Sequence, residues 1–579
     1  MKKRINVLIF IAILLFSTIL YQLADIQLLS TKNYGPKNVN LLERSVAQRS
    51  HQMSLSTGRG LFLSRDGEAI GNNKIYDVVM FPGMKQVEES YKQIAKILNI
   101  SETRMIGELA QEDSPIFLTD LLPVTITENQ FKQLEKKDMK GVQLVERYQN
   151  EDPDIAQHMI GLVRNNPSLY EERYGKKNDL KTSRVGISGL QKAFDSFLIE
   201  GEQEQLLFHV DGNGRPMFGF DLKYTGYENG FYPVKVKTTI DQNLQQKAEE
   251  LLNKYEINKG GIVLLDVKTR DVLAMASRPH INPNNPYQKE SIRNQMLTQQ
   301  FPGSVFKTVI AAASIEAGLV DEARSFDCSL HMYGKKKSSR DLGNLNFEQS
   351  FAESCNRAFG QLGIELMNQD KELIEKYAEK LGLLGPVGWR GDVFRYQGFE
   401  QFPEEEQGQI WGNEADQSVE KAIIQTSIGQ KNVKVTPLAV ANMMATIASN
   451  GKKKSVRVVD RILYQNGATM TTFAEQTQDQ SQIEPYTATK LKPLLHLVTE
   501  SGTAESLKGL SVAGKTGTAE MDTDGDNKTD FENYWFGGFF PYEKPKYAMV
   551  AVDLHHQPNS SSNIYSVYKD MVQFINDIE

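Results

Sequence analysis

Phe301-Pro302-Gly303-Ser304-Val305-Phe306-Lys307, followed by Thr308-Val309-Ile310-Ala311-Ala312-Ala313, delivers a serine from a Pro-Gly turn to the start of an apolar, Ala-rich helix. Lys307 lies three residues on, so the two side chains share a helix face. A serine there sits under backbone N–H groups that have no partner within the helix, at the positive end of its dipole. A neighbouring amine that takes the hydroxyl proton, once burial lowers its pKa, turns a weak nucleophile into an active one. Ser-x-x-Lys recurs at Ser418/Lys421, Ser449/Lys452 and Ser566/Lys569. Ser449 precedes Asn-Gly, a turn signal, and Ser418 opens a polar approach with Glu420 between the pair. Only Ser304 combines a turn, a helix start and an apolar run able to bury the lysine stem. A well-capped core helix has the same local pattern, so the choice rests on the rest of the chain.

Working outward, Gly261–Asp266 and Asp271–Ala276 read as two apolar strands around Lys268-Thr269-Arg270, a hairpin directly before the serine. Strands return at Leu510–Thr518, Tyr534–Phe540 and Ala548–Leu554. The expected sheet therefore draws on both ends of this region, with a helical block between. Within that block Ser354-Cys355-Asn356 offers a hydroxyl and a carboxamide two positions apart. On the late strands lies the only Lys-Thr-Gly, at Lys515-Thr516-Gly517, followed by Thr518. Alternation places Lys515 and Gly517 on one face and Thr516 and Thr518 on the other. A glycine there admits a second backbone, and an amine flanked by hydroxyls suits a carboxylate.

The chain has 579 residues, enough for two to four domains. Its 66 basic and 73 acidic residues leave a formal charge of −7, which gives no electrostatic case for nucleic acid. Two cysteines, Cys328 and Cys355, rule out a disulfide framework or a cysteine zinc cluster. The two can pair outside the cytoplasm, but Cys355 is read as a buried spectator. Residues 1–4 carry a basic cluster, and 5–24 form an apolar run about as long as a bilayer core is thick. Basic residues ahead of the run predict a cytoplasmic N-terminus and an exported remainder. A cleaved signal peptide is the competing reading. The length of the run and the lack of a clean small-x-small site favour an uncleaved anchor. Residues 25–57 read as a juxtamembrane stalk, with a charged helical pattern near Leu41–Arg49. Gly58–Leu63 reads as a strand entering the Asp66-Gly67 turn, with Tyr76–Phe81 as its return. Helices are expected around Val87, Tyr91, Ile94 and Leu98, after Ser101, after Thr127 and after Asp241.

The ordered set Ser304-x-x-Lys307, Ser354-x-Asn356 and Lys515-Thr516-Gly517 resembles that of penicillin-binding proteins and serine β-lactamases. Gly58-Arg59-Gly60, Arg65-Asp66-Gly67, Gly186-Ile187-Ser188-Gly189-Leu190, Thr239-Ile240-Asp241, Thr436-Pro437-Leu438 and Trp535-Phe536-Gly537-Gly538-Phe539 extend the likeness to class B penicillin-binding proteins. No glycosyltransferase-like segment lies between anchor and pedestal, unlike class A. The resemblance implies a single transmembrane helix and an α+β pedestal or dimerisation module over 58–230. After these would come an α/β transpeptidase domain over 231–579, a mainly antiparallel sheet sandwiched by helices with an all-helical subdomain. It implies peptidoglycan D,D-transpeptidation through a serine acyl-enzyme that β-lactams also form, with no cofactor. Ser304 would be the nucleophile and Lys307 its base. Ser354 and Lys515 would relay a proton to the leaving D-alanine, and Asn356 would hold the peptide amide. Lys515, Thr516 and Thr518 would meet the terminal carboxylate, with Gly517 in the binding strand. The implied partners are stem peptides on lipid II-derived glycan strands, β-lactam inhibitors, the membrane and a SEDS-type glycosyltransferase. Departures from the pattern are Gly429-Gln430-Lys431 for Gly-Gln-Gly, Gly189-Leu190-Gln191 for Gly-Leu-Glu, and Leu342-Gly343 for His-Gly.

Two alternatives remain open on sequence. One is hydrolysis, as a D,D-carboxypeptidase or β-lactamase, although no carboxylate can be matched to the water-activating role. The other is a non-catalytic β-lactam-binding sensor or scaffold. Asp522, Asp524, Asp526 and Asp530 alternate as in calcium loops. The glycine comes too early for an EF-hand and Asn533 stands at position twelve, so a solvated loop is the preferred reading.

Overall fold

A computed structural model of the chain describes all residues except 1, 36–38, 42–43, 45–49, 56–57, 83–87, 138, 140–141, 151–152, 176–183, 200–204, 210–222, 226–229, 322, 479–480, 522–528 and 559. Val87, most of the 41–49 pattern and three of the four calcium-loop aspartates lie outside the described residues. Asp530 is described, and its backbone N–H donates to Met521 O at 2.8 Å. The chain separates into two compact units, and neither is a continuous stretch. One holds residues 1–59, 74–149 and 201–229, and the other 60–73, 150–200 and 230–579.

In the first unit the apolar run forms the helix Lys2–Ala24, continued by a π-helical turn Asp25–Leu29. It is long and apolar enough to cross a bilayer and has no buried residue in its span, and it is the one such helix among the described residues, which fits a single membrane pass. Strands Ser50–Ser54, Gln205–His209 and Lys223–Thr225 make one antiparallel sheet. Asn72–Met80 lies between Ile116–Phe117 and Val142–Asn150 in a second. Helices Glu88–Leu98, Glu102–Leu109 and Glu128–Glu135 pack over an apolar core that includes Val78, Ile94 and Leu134. Ser101 caps its helix by accepting from Arg104 N, and Thr127 forms a capping box with Gln130, as their side-chain chemistry predicts. Tyr76–Phe81 is not the return strand of the Asp66-Gly67 turn. That turn closes at once, with Ser64 N donating to Glu68 O at 2.7 Å, so the short Ala69–Ile70 strand pairs with Leu61–Leu63.

The second unit is built on a five-stranded antiparallel sheet: β1 (Gly260–Asp266), β2 (Val272–Arg278), β3 (Ala513–Met521), β4 (Phe531–Phe540) and β5 (Tyr547–His556), in the order β2-β1-β5-β4-β3. The hairpin before the serine and the three late strands thus share one sheet. The β1–β2 turn is held by the Asp266 carboxylate, which accepts from Lys268 N, Thr269 N and the Thr269 hydroxyl. Helices cover both faces, which is why β1 and β2 read as almost uninterrupted apolar runs. On one side lie α1 (Gln242–Lys254) and the late helix Ile564–Ile578, whose Tyr568 ring meets Phe536 edge-on at 4.5 Å. On the other lie α2 (Lys307–Glu316), α3 (Asn356–Gln369), α4 (Pro437–Ala448) and α5 (Pro485–Ser501). Every residue of α4 is buried. A second sheet carries Lys235–Thr238 between Val459–Leu463 and Leu61–Leu63, the last pair parallel, which draws residues 60–73 into this unit. Gly60 permits this, since a Cβ there would stand 2.5 Å from Val234 O.

Cys355 is not a spectator thiol: it forms a disulfide with Cys328 across 27 positions, with Cα atoms 6.0 Å apart. The short hairpin of Ser325–Asp327 and Asn344–Asn346 folds Cys328 back, with Cys328 N donating to Gly343 O at 2.7 Å. Ser350 contacts both sides, accepting from Cys355 N through its carbonyl and lying 3.8 Å from Cys328 Sγ through its hydroxyl. Loop-closure entropy sets the expected loss on replacing both cysteines with alanine at about 3 kcal/mol. Denaturant titration should show it as a lower midpoint. An unchanged midpoint would mean that the hairpin and Ser350 hold this region without the cross-link.

Candidate active site

Ser304 belongs to a 3-10 turn, Gly303–Phe306, that runs straight into α2. The α2 residues from Lys307 to Ser314 are all buried, so the amine on its first residue is held away from the protein surface. Lys307 Nζ donates to Ser354 O at 2.8 Å, Ser354 Oγ at 3.1 Å and Asn356 Oδ1 at 2.6 Å. Its predicted neighbour Ser304 is adjacent along the turn, but the three hydrogen bonds go to the second motif. Desolvation pushes the Lys307 pKa well below the usual lysine range, with the positive charges of Lys515 and Arg340 adding to the effect.

Ser354 stands between the helix Phe347–Ala352 and α3, with φ +56°, a left-handed conformation that a side chain normally avoids. The Cys328–Cys355 bond and Cys355 N–Ser350 O fix the next residue. Asn356, first in α3, is exposed on the cleft side while its Oδ1 reaches inward to Lys307.

Lys515 reaches the same hydroxyl from β3. Its Nζ donates to Ser354 Oγ at 3.0 Å and Thr516 O at 3.3 Å, and the side chain is fully buried against the Phe351 ring. Burial lowers its pKa to about 7, helped by the Arg340 charge and opposed by Glu353. The Thr516 hydroxyl pairs with Thr503 at 2.7 Å, while Thr518 is exposed. Lys515 and Gly517 do share the face turned to the serine. A Cβ on Gly517 would stand 2.4 Å from Pro302 O, and one on Gly303 would stand 2.2 Å from Thr518 O and 3.0 Å from Thr518 N. Strand and turn therefore meet backbone to backbone, with Thr518 N beside the residue preceding Ser304.

Side chains of 307, 354, 356 and 515 are thus joined by hydrogen bonds from three segments, and the turn that carries Ser304 meets β3 through its backbone. The other Ser-x-x-Lys serines have different employment: Ser449 ends α4, accepting from the buried Arg270, and Ser418 accepts from Lys371. Sequence reasoning missed Thr503, whose N–H donates to Ala352 O at 3.1 Å and whose hydroxyl meets Thr516, so that it ties the second motif to the third. The available signal was Ser501-Gly502, a helix stop just before it. It also treated Gly429-Gln430 as a mere departure. Gly429 O accepts from Gly303 N at 3.0 Å, and the Gln430 amide donates to Thr518 O at 3.4 Å. Arg340 was likewise unmarked, although it donates to Glu353 O and to its carboxylate. No group of metal-ligating side chains occurs among the described residues.

Gly303 has φ +54°, and Gly318 has φ +69° with nothing within 4 Å of an added Cβ. Gly318→Ala should cost only backbone strain, about 1 kcal/mol. Gly303→Ala adds the clash with Thr518 and should cost about 2 kcal/mol more. Denaturant midpoints of the two variants check the difference, and equal losses would show that the turn–strand contact is slack.

A family model described as "Penicillin binding protein transpeptidase domain" matches residues 260–572, and one described as "Penicillin-binding Protein dimerisation domain" matches 54–219. The chain is similar to stage V sporulation protein D of Bacillus subtilis (strain 168), 26% identical over 574 residues that cover 93% of this chain and 81% of that protein. It is also similar to peptidoglycan D,D-transpeptidase FtsI of Escherichia coli (strain K12), 25% identical, covering 86% and 79%. In fold it matches penicillin binding protein 2X from Streptococcus thermophilus with a TM-score of 0.65 at 17% identity, covering 91% of this chain and 80% of that one. A chain from "Structural coordination of polymerization and crosslinking by a peptidoglycan synthase complex" gives a TM-score of 0.65 at 22% identity, covering 98% and 97%. The protein belongs to the penicillin-binding proteins, in the class B arrangement of a dimerisation module followed by a transpeptidase domain.

Proposed function

We propose that this chain is a peptidoglycan D,D-transpeptidase that crosslinks stem peptides through an acyl-enzyme on Ser304, a site that β-lactams also acylate. The observation that carries the reading is the convergence of two buried amines on the Ser354 hydroxyl, one of them at the foot of the Ser304 turn. Ser304 attacks the carbonyl of the penultimate D-alanine and Lys307 takes its proton. Burial lowers the Lys307 pKa, which favours the neutral form that this step needs. Ser354 and Lys515 pass a proton to the departing D-alanine, and Asn356 holds the peptide amide. Lys515, Thr516 and Thr518 receive the terminal carboxylate, with Gly517 keeping β3 close to the turn. Backbone N–H groups of Ser304 and Thr518 stabilise the oxyanion, each contributing about 3 kcal/mol at the transition state. No step calls for a cofactor.

The same reading places the N-terminus in the cytoplasm and residues beyond the anchor outside, on the strength of Lys2, Lys3 and Arg4. In this reading residues 25–57 lead from the anchor into a pedestal over 58–230, although Ser50–Ser54 is already a strand of the first unit and 60–73 and 150–200 pack in the unit that holds the catalytic region, 231–579. The fold likeness to a chain of a synthase complex supports a glycosyltransferase partner of the SEDS type that supplies lipid II-derived glycan strands.

Labelled penicillin followed over time tests the assignment. The wild type should form a long-lived adduct at Ser304, Ser304→Ala should form none, and Ser566→Ala should behave as wild type. Rapid adduct turnover would indicate a β-lactamase, and a stable adduct without crosslinking of stem peptide to an amine acceptor would indicate a sensor. The pH dependence is also set. Acylation should rise as Lys307 loses its proton and fall above about 7 as Lys515 loses the charge that meets the ligand carboxylate. A second-order acylation rate constant that stays flat from pH 7 to 9 would remove Lys515 from that role.

A further inference from the structure

Lys335, Lys336, Lys337 and Arg340 fall within six positions of a chain whose formal charge is −7. They lie on the arm that links the short strands Ser325–Asp327 and Asn344–Asn346. The arm is closed on itself by His331 N–Lys336 O at 2.7 Å and Ser338 N–Ser329 O at 2.8 Å. It is also bound to the second motif at both of that motif's flanks. Arg357, next to Asn356, donates to His331 O at 3.0 Å and Gly334 O at 2.8 Å. Arg340 donates to Glu353 O at 3.1 Å and to the Glu353 carboxylate at 2.8 Å, just before Ser354.

The three lysines are exposed, and among the described residues none has an ion pair with a carboxylate. A solvated charge run is the ordinary explanation for such lysines. Two features set this one apart. Like charges in a row repel one another, and two arginines expend their hydrogen bonds on holding that repulsive cluster beside Ser354 and Asn356. The arm's field also reaches the site, since Arg340 is among the charges that lower the pKa of both buried amines. A positive arm held by hydrogen bonds beside Ser354 and Asn356 raises the local concentration of anionic substrate.

Building on the transpeptidase reading, we propose that the arm from His331 to Arg340 is an anion subsite. It takes a carboxylate of the stem peptide upstream of the D-Ala-D-Ala end, so that the enzyme prefers stems with that carboxylate free over stems in which it is amidated. Asn356 marks where the peptide backbone passes, and Gly334, held by the neighbouring Arg357, places Lys335–Lys337 next along that path.

The test is competition against labelled penicillin at Ser304 by two synthetic peptides ending in D-Ala-D-Ala, one with an upstream free carboxylate and one with its amide. On wild type at low ionic strength the carboxylate peptide should halve labelling at about tenfold lower concentration, a preference that shrinks with added salt. The variant Lys335→Gln/Lys336→Gln/Lys337→Gln should bring the ratio below about twofold. At high salt, where the arm's long-range field is screened, the variant's labelling rate without peptide should equal that of wild type, which separates loss of the subsite from misfolding. A ratio near one on wild type overturns the proposal, as does a ratio the triple variant leaves intact. So does a polyol phosphate that binds the arm while the two peptides compete equally. Absence of any labelling of wild-type Ser304 would instead strike the transpeptidase reading itself.

Discussion

Two lysine amines, each fully buried, meet one serine hydroxyl, and among the described residues no carboxylate is hydrogen-bonded to either. Burying two like charges in this way is expensive, and the environment answers by lowering both pKa values and satisfying the amines with neutral acceptors. Ser354 O, Asn356 Oδ1 and Thr516 O supply these, and the Phe359 and Phe351 rings lie against the amines at 5.6 and 5.7 Å. The arrangement holds only if the start of α2, the turn before α3 and the strand β3 arrive together. Those three pieces span more than two hundred positions, so the architecture of the second unit follows from the need to close that triangle.

Closure is achieved by missing side chains. Gly517 faces Pro302 O, Gly303 faces Thr518 O, and Gly429 would clash with Gly303 O at 1.9 Å if it carried a Cβ. Three successive layers of backbone are stacked without side chains between them, which brings Thr518 N close to the serine turn. Ser354 illustrates the opposite device. A residue with a side chain is held at positive φ because the disulfide, Arg340 and Thr503 together fix the segment around it. Strain at the shared hydroxyl is thereby borne by groups outside the chemistry.

The three motifs and the sheet that joins both ends of the second unit were legible in the sequence, because each depends on short-range pattern. Ser-x-x-Lys after Pro-Gly, Lys-Thr-Gly on an alternating strand, and apolar runs bounded by turns are all local signals. The Cys328–Cys355 bond was not legible, because nothing near either cysteine encodes the hairpin that brings them together. Tyr76–Phe81 was misassigned as a return strand because its alternation is genuine, and only the immediate closure at Ser64–Glu68 shows that the turn already has a partner. Thr503 and Gly429 were invisible for a third reason. Their role is a contact with another segment's backbone, and a single hydroxyl or glycine carries no periodicity that announces it. The same holds for the parallel pairing of Leu61–Leu63 with Lys235–Thr238, which divides the early chain between two units.

The hydrogen-bond inventory of the site limits which groups can pass a proton to one another. Lys307 Nζ has three contacts, but a neutral amine has only two N–H bonds. Ser354 O and Asn356 Oδ1 are acceptors only at those atoms, so they must keep both N–H bonds. When Lys307 is neutral the remaining contact reverses, and the Ser354 hydroxyl donates to the Lys307 lone pair. Ser354 Oγ is then left as an acceptor, which suits the Lys515 ammonium at 3.0 Å. The resulting chain runs Lys515 to Ser354 to Lys307. In the proposed reaction Ser304 competes with Ser354 for the Lys307 lone pair. Once Lys307 has taken the Ser304 proton, it can return a donor to Ser354, whose own proton is freed to move towards the departing amine. A lone lysine beside Ser304 would trap that proton. In the proposed reaction the second amine, its pKa lowered to about 7 by burial, would let the relay run in both directions, as forming and resolving an acyl-enzyme requires.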